Sequence, residues 1–257
     1  MLGKLVAPLH ALVEQWNANR RHSAGHDTCP ALQYRQQGDD ETVQFVQPYT
    51  MTSPERIRAL CSAVRYIEQT GLEGTVVECG VWRGGSMMAV ARTLMNSGGP
   101  ARGLYLFDTL EGMTEPGPPH IPLEGDIAET LLKQSARTEE DMVWCYAPMG
   151  RVVESLALTK YPESHIHCVP GPVEQTLTVS PPQHIALLRL DTDWYASTKH
   201  ELDVLFPKLC PGGVLIIDDY GHWQGARRAV DEYLHEHQIK MPLHAIDYTG
   251  RIGVKPL

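Results

Sequence analysis

An α/β architecture is predicted for this chain: a doubly wound, mostly parallel sheet with helices on both faces and a closing antiparallel hairpin. Three observations predict it. Residues 74–108 read as strand, glycine turn, helix, strand and acid, the first half of a Rossmann-like nucleotide-binding sheet. Two later apolar runs, residues 184–190 and 213–217, have the length and continuity of strands buried on both faces. Each run ends in two carboxylates, Asp191 and Asp193 after the first, Asp218 and Asp219 after the second. In an open parallel sheet, that carboxyl edge is where ligands bind.

The chain has 257 residues, enough for one large domain with additions. Hydrophobic content of 42% and charged content of 21% are those of an ordinary globular protein. The net charge of −9 excludes nucleic acid as the main partner, because phosphate contacts need a basic face. No apolar run approaches the roughly 18 residues of a membrane span, so no membrane partner is expected. The first residues superficially resemble a signal peptide but lack a cleavage site and run into Glu14. Leu2, Leu5, Val6, Leu9, Leu12, Val13 and Trp16 fall at helical spacing, predicting an amphipathic helix that docks on the body or on another subunit. Residues 1–48 are therefore read as a helical arm, polar and weakly patterned from 20 on, and self-association as a dimer or larger assembly is expected. The six cysteines are scattered with no CxxC pair, which fits reduced thiols and a cytoplasmic enzyme.

The main domain is expected over residues 49–257. Ser53 is a good N-cap and Pro54 a good first helical residue. The helix they open should run to about Thr70 and bury Ile57, Leu60, Ala63, Val64 and Ile67. Residues 74–80 form the first strand, 81–86 the turn, 87–96 a helix and 103–108 the second strand. Residues 110–148 break the pattern with Pro116, Pro118, Pro119 and Pro122, then a helical stretch at 128–136; so long an insertion reads as a lid. A helix over 151–159, a strand over 165–169 and a helix over 224–238 follow. Residues 243–246 and 252–254 pair as the closing hairpin.

The turn Glu-Cys-Gly-Val-Trp-Arg-Gly-Gly-Ser, residues 78–86, brings Gly80, Gly84 and Gly85 to a helix start. Glycines let backbone approach a ligand, and helix N-termini favour negative groups. The spacing is not GxGxxG, which disfavours a dinucleotide. Glu78 beside the turn suits a ligand with an ammonium group, and S-adenosylmethionine has one. Asp108, ending the second strand, stands where a ribose-binding acid is expected, or caps a turn. The four later aspartates repel one another unless something positive lies between them. A magnesium or calcium ion is the simplest candidate, since hard cations take oxygen ligands. Such an ion lowers the pKa of a bound hydroxyl, and a spare carboxylate serves as base. His222 follows the second pair and lines an acceptor pocket, assists proton removal, or is a plain loop residue. His165 and His167 alternate on one strand face but lack a third ligand, so a structural pair is favoured over zinc.

These motifs together resemble the macrocin O-methyltransferase family. The resemblance is carried by Tyr-Thr-Met-Thr-Ser-Pro-Glu at 49–55, the glycine turn at 78–86, Asp-Thr-Asp-Trp-Tyr at 191–195, Pro-Gly-Gly-Val at 211–214 with Asp-Asp-Tyr at 218–220, and Asp-Tyr-Thr-Gly at 247–250. It implies a Rossmann-like class I methyltransferase fold, S-adenosylmethionine as donor, magnesium, and a sugar hydroxyl on an antibiotic as acceptor. Asp191, Asp218 and Asp219 match metal ligands, and Asp193 matches the general base, a role Asp191 can share. Tyr49, Thr52, Glu78, Gly80 and Ser86 match positions around the methionine end of the donor, Asp108 the ribose contact, and Gly171 and Val173 the segment near the adenine. Leu110 departs from the family's usual Ser or Thr. Competing readings are a metal-dependent catechol or phenol O-methyltransferase, separable by an acceptor screen, a nucleotide-dependent oxidoreductase, disfavoured without GxGxxG, and a non-catalytic donor-binding protein, disfavoured by the full acid set.

Overall fold

The computed structural model describes residues 29–36, 38–113, 145–179 and 181–257. The expected N-terminal helix and most of the expected lid lie outside them. A seven-stranded sheet runs through the centre in the order β3-β2-β1-β4-β5-β7-β6. Its strands are β1 (Thr75–Cys79), β2 (Leu104–Asp108), β3 (Ile166–Pro170), β4 (Ile185–Leu190), β5 (Leu209–Ile217), β6 (His244–Ala245) and β7 (Arg251–Val254). The first five are parallel, and β7 pairs antiparallel with both β5 and β6, as the hairpin expectation required. Strand order reverses between β1 and β4, the switch point that opens a crevice at the carboxyl edge.

Alternation along the strands sorts the core into two layers. Val76, Leu187, Val214 and Ile216 pack on the layer that holds α2 (Pro54–Gln69) and α3 (Gly85–Ser97). Val77, Leu188, Leu215 and Ile217 pack on the other, against α6 (Tyr195–Leu205) and α7 (Gln224–Glu236). Every residue of β4 is buried, as its continuous apolar run predicted. The helix α2 starts where its cap residues said it should: the Ser53 hydroxyl accepts from the Arg56 N–H at 3.2 Å, Pro54 is the first helical residue, and the five expected apolar residues are buried.

Three local expectations need correction. From Cys29 on, the polar stretch is no surface loop: Ala31 and Val46 are fully buried, and α1 (Asp39–Val46) packs on α2 and α3. The ion pair between buried Asp39 and Arg65, 2.7 Å, ties it down and explains why its sequence looked polar. The helix α6 was not anticipated, because its buried face carries Ser197, Thr198 and Glu201 and so shows no apolar stripe. The strand β5 starts four residues early, at Leu209, because a register irregularity against β4 absorbs Pro211, Gly212 and Gly213. The remaining helices are α4 (Met149–Ala157) and the one-turn α5 (Val173–Thr176). No described helix is long and apolar enough to cross a membrane, and all six cysteines are unbonded.

Candidate active site

At the crevice the chain forms a cleft of about 470 Å³. Its wall includes Thr52, Gly80, Ser86, Asp108, Gly171 and Val173 on one side, and Asp191, Asp193, Asp218, Asp219 and His222 on the other. Eleven of the thirteen residues singled out from sequence therefore meet in one place. Tyr49 and Glu78 do not line it.

Backbone geometry shapes the donor-facing side. Gly80 leaves β1 at φ +83, and a Cβ there would sit 2.0 Å from the Asp191 carbonyl oxygen, so the ends of β1 and β4 touch. Gly85 opens α3 beneath the backbone of Tyr49, whose carbonyl oxygen would lie 2.6 Å from a Cβ. Tyr49 thus contributes backbone packing behind the turn. Asp108 is a capping residue here: one carboxylate oxygen accepts from Val81 and Trp82 N–H groups at 2.6 and 3.0 Å, the other from Leu110 N–H at 2.7 Å. It holds the turn around Trp82, at φ +49, and Leu110, at φ +55.

The acids are less alone than the sequence suggested. Two buried arginines, unrecognised in the sequence, lie between them. Arg189 of β4 reaches Glu78 at 2.6 Å, Asp191 at 2.8 Å and Asp218 at 2.6 Å, and donates to Thr52 Oγ1 at 2.9 Å. Arg56 of α2 pairs with Asp218 and, at 3.0 Å, with Asp247. Both oxygens of Asp218 therefore face guanidinium groups. A charged residue inside a fully apolar strand run was the available signal for Arg189, since buried Arg is almost always paired. Glu78 lies behind this network, 1% exposed, and its Oε2 has no hydrogen-bond partner among the described residues. Burial pushes its pKa up to about 7, although Arg189 opposes the shift.

Asp191, Asp218 and Asp219 each present an oxygen within 4.8 Å of the others. Burial raises Asp191 and Asp219 well above the usual carboxylate range and lifts Asp193 to about 7. Mutual repulsion between these carboxylates adds to the effect of burial. Arg56 and Arg189 pair with Asp191, Asp218 and Asp247 but form no ion pair with Asp193 or Asp219, and an all-oxygen donor set with this surplus of carboxylates fits a hard divalent cation. Asp193 occupies φ +66 in the turn between β4 and α6, and Trp223 borders the cleft with it. Thr192 anchors that turn by donating to the buried Glu201 at 2.8 Å. His222 is exposed at the mouth, its ring edge-on to Trp223 at 4.8 Å. His167 lies tilted against Tyr105, with ring centroids 4.4 Å apart, and His165 contacts Ser164 at 3.1 Å.

Comparison with known proteins agrees with this arrangement. The macrocin-O-methyltransferase (TylF) family model matches residues 4–252. An 8-demethyl-8-(2,3-dimethoxy-alpha-L-rhamnosyl)-tetracenomycin-C 4'-O-methyltransferase of Streptomyces olivaceus is 32% identical over 79% of this chain and 74% of its own. A mycinamicin III 3''-O-methyltransferase of Micromonospora griseorubida is 30% identical over 89% and 87%. The solved structure of the O-methyltransferase NovP superposes with a TM-score of 0.71 at 26% identity, covering 81% of this chain and 83% of that one. The switch-point cleft, the glycine turn and the match along almost the whole sequence place this chain in the macrocin O-methyltransferase family, and it is an S-adenosylmethionine-dependent O-methyltransferase.

Proposed function

We propose that the protein methylates a hydroxyl of a sugar carried on a natural product, with Mg²⁺ bound by Asp191, Asp218 and Asp219. The observation that carries this reading is the three-carboxylate set, within 4.8 Å, in the same cleft as the Gly80–Ser86 turn. The relative from Streptomyces olivaceus, whose name gives a rhamnosyl-bearing acceptor, supports the acceptor class. When bound, the ion would supply Lewis-acid polarisation of the hydroxyl and lower its pKa.

The chain's own residues do the rest. The Gly80 turn and the start of α3 receive the methionine end of the donor, and Glu78, sealed behind them, pairs with Arg189 and so holds the guanidinium that Thr52 and Asp191 also meet. Gly171 and Val173 border the adenine. Asp193 takes the hydroxyl proton as the oxygen attacks the methyl carbon in line with the departing sulfur. No covalent enzyme intermediate is needed, because the sulfonium is already a good leaving group; positioning and electrostatics supply the rate. Glycosides outrank catechols, the second reading, because the acceptor named for the Streptomyces olivaceus relative carries a rhamnosyl group.

Calorimetry with S-adenosylhomocysteine, with and without Mg²⁺, followed by a mass-spectrometric screen of glycosides against catechols, tests the reading. Methylation of catechols alone, or full activity in chelator-treated buffer, would overturn it. Self-association through the N-terminal arm and a lid over residues 110–148 belong to the same proposal, and sedimentation of wild type against a chain lacking residues 1–28 tests the former.

A further inference from the structure

Aromatic rings wall the mouth of the cleft. Trp194 and Trp223 have centroids 5.4 Å apart with planes inclined by 53°. His222 stands edge-on to Trp223, at 82°, and Tyr248 lies 6.5 Å from His222 at 87°. All four border the same cleft as the acids. They come from three separate connections, β4 to α6, β5 to α7 and β6 to β7, so the chain gathers them from distant positions. Trp223 and Asp193 border this cleft together, one from the connection after β5 and the other from the connection after β4.

A wall of apolar rings beside several carboxylates suits a ligand that carries apolar faces and a rim of hydroxyls. Ring inclination narrows the choice. A flat aromatic acceptor is best held by near-parallel rings, and the inclined planes here form an open wedge instead. A pyranose chair is thick, places its hydroxyls around the rim, and turns C–H bonds outward on both faces. Those C–H bonds carry slight positive charge and match the negative face of indole and phenol rings.

We propose that Trp194, Trp223 and Tyr248 form the platform on which the acceptor's pyranose ring lies, beside Asp193 in the same cleft. This rests on the sugar-methylation reading and adds where the sugar sits and which side chains select it. The face of the sugar rests on the indoles, one rim hydroxyl reaches the acids, and the remainder of the acceptor projects past Tyr248, which is 36% exposed.

Saturation-transfer NMR with methyl α-L-rhamnopyranoside, in the presence of S-adenosylhomocysteine and Mg²⁺, tests the platform. The wild-type protein should transfer saturation chiefly to C–H protons on one face of the sugar. Trp194→Leu and Tyr248→Ala should each cut that transfer at least five-fold, while calorimetry shows S-adenosylhomocysteine affinity within two-fold of wild type, which also reports that the variants fold. Equal transfer in wild type and both variants overturns the platform. So does absence of transfer to the rhamnoside from a wild-type protein that binds S-adenosylhomocysteine. A wild-type protein that fails to bind S-adenosylhomocysteine sinks the methyl-transfer reading, and the platform with it.

Discussion

Arg189 and Glu78 face each other across β4 and β1 as register partners, and their side chains form an ion pair of 2.6 Å with both nearly sealed from water. The same guanidinium also meets Asp191, Asp218 and Thr52. One positive charge thus joins residues on both sides of the cleft. Replacing it by Arg189→Met should leave several buried carboxylates without a partner and cost about 3–5 kcal/mol. Urea unfolding checks this. The double variant with Glu78→Gln should recover part of the loss, and an unchanged midpoint in the single variant would refute the bridging role.

Glu78 also predicts a pH dependence. Its folded pKa, about 7, lies above the 4.5 usual for a glutamate in water. The folded state therefore holds a proton that the unfolded state has released between those values. Stability from this group is full below about pH 4.5 and is lost as pH rises towards 7, with a slope of up to about 1.4 kcal/mol per unit. Glu78→Gln should flatten the unfolding free energy over that window. Parallel curves for the two proteins would count against the shift.

Gly80→Ala should be severe. Its Cβ would lie 2.0 Å from the Asp191 carbonyl, and the residue sits at φ +83. Forcing the two strand ends apart should cost more than about 3 kcal/mol, by analogy with other strained or overpacked positions. Thermal unfolding and S-adenosylhomocysteine titration should both register the change, and normal donor affinity would show that the contact tolerates it.

Asp193→Asn removes the proposed base while keeping the shape of the side chain. Turnover should fall about 10²- to 10⁴-fold, while calorimetric affinity for S-adenosylhomocysteine stays within two-fold. Parallel loss of donor binding would assign Asp193 to the donor site instead.

Ser53 serves two partners: it caps α2 through Arg56 N–H and donates to Asp247 at 2.6 Å. Ser53→Ala should destabilise by about 1–2 kcal/mol. Burial opposes the charge on Asp247, yet Arg56, Ser53 and two backbone N–H groups hold its pKa below the usual range. Its stability contribution is thus present above the unfolded carboxylate pKa and lost as pH falls through the folded value. Acid titration of Asp247→Asn should show that loss missing at low pH, and identical acid transitions would argue the reverse.

How far the sequence could be read depends on what each residue answers to. Strands such as β4 and the capped start of α2 follow from local pattern, and both appear where expected. The aspartates were legible because sequence alone places them at strand ends. Arg56 escaped notice because its role depends on Asp218 and Asp247, 162 and 191 residues away. The family's role for Asp108 could not reveal that its carboxylate is tied to the neighbouring turn, since hydrogen-bond direction is settled by packing. The helix α6 went unseen for a similar reason, its buried Glu201 being matched by Thr192 and not by an apolar neighbour.

Because strand order reverses between β1 and β4, all the chemistry lies on one rim of the sheet. The opposite rim, where α3 ends at Ser97 and the chain passes through exposed Gly98 and Pro100 towards β2, carries none of it. A cysteine handle at Ser97, coupled to a resin, would hold the molecule with its mouth towards the bulk liquid. Bulky ligands could then enter and leave the cleft without meeting the support.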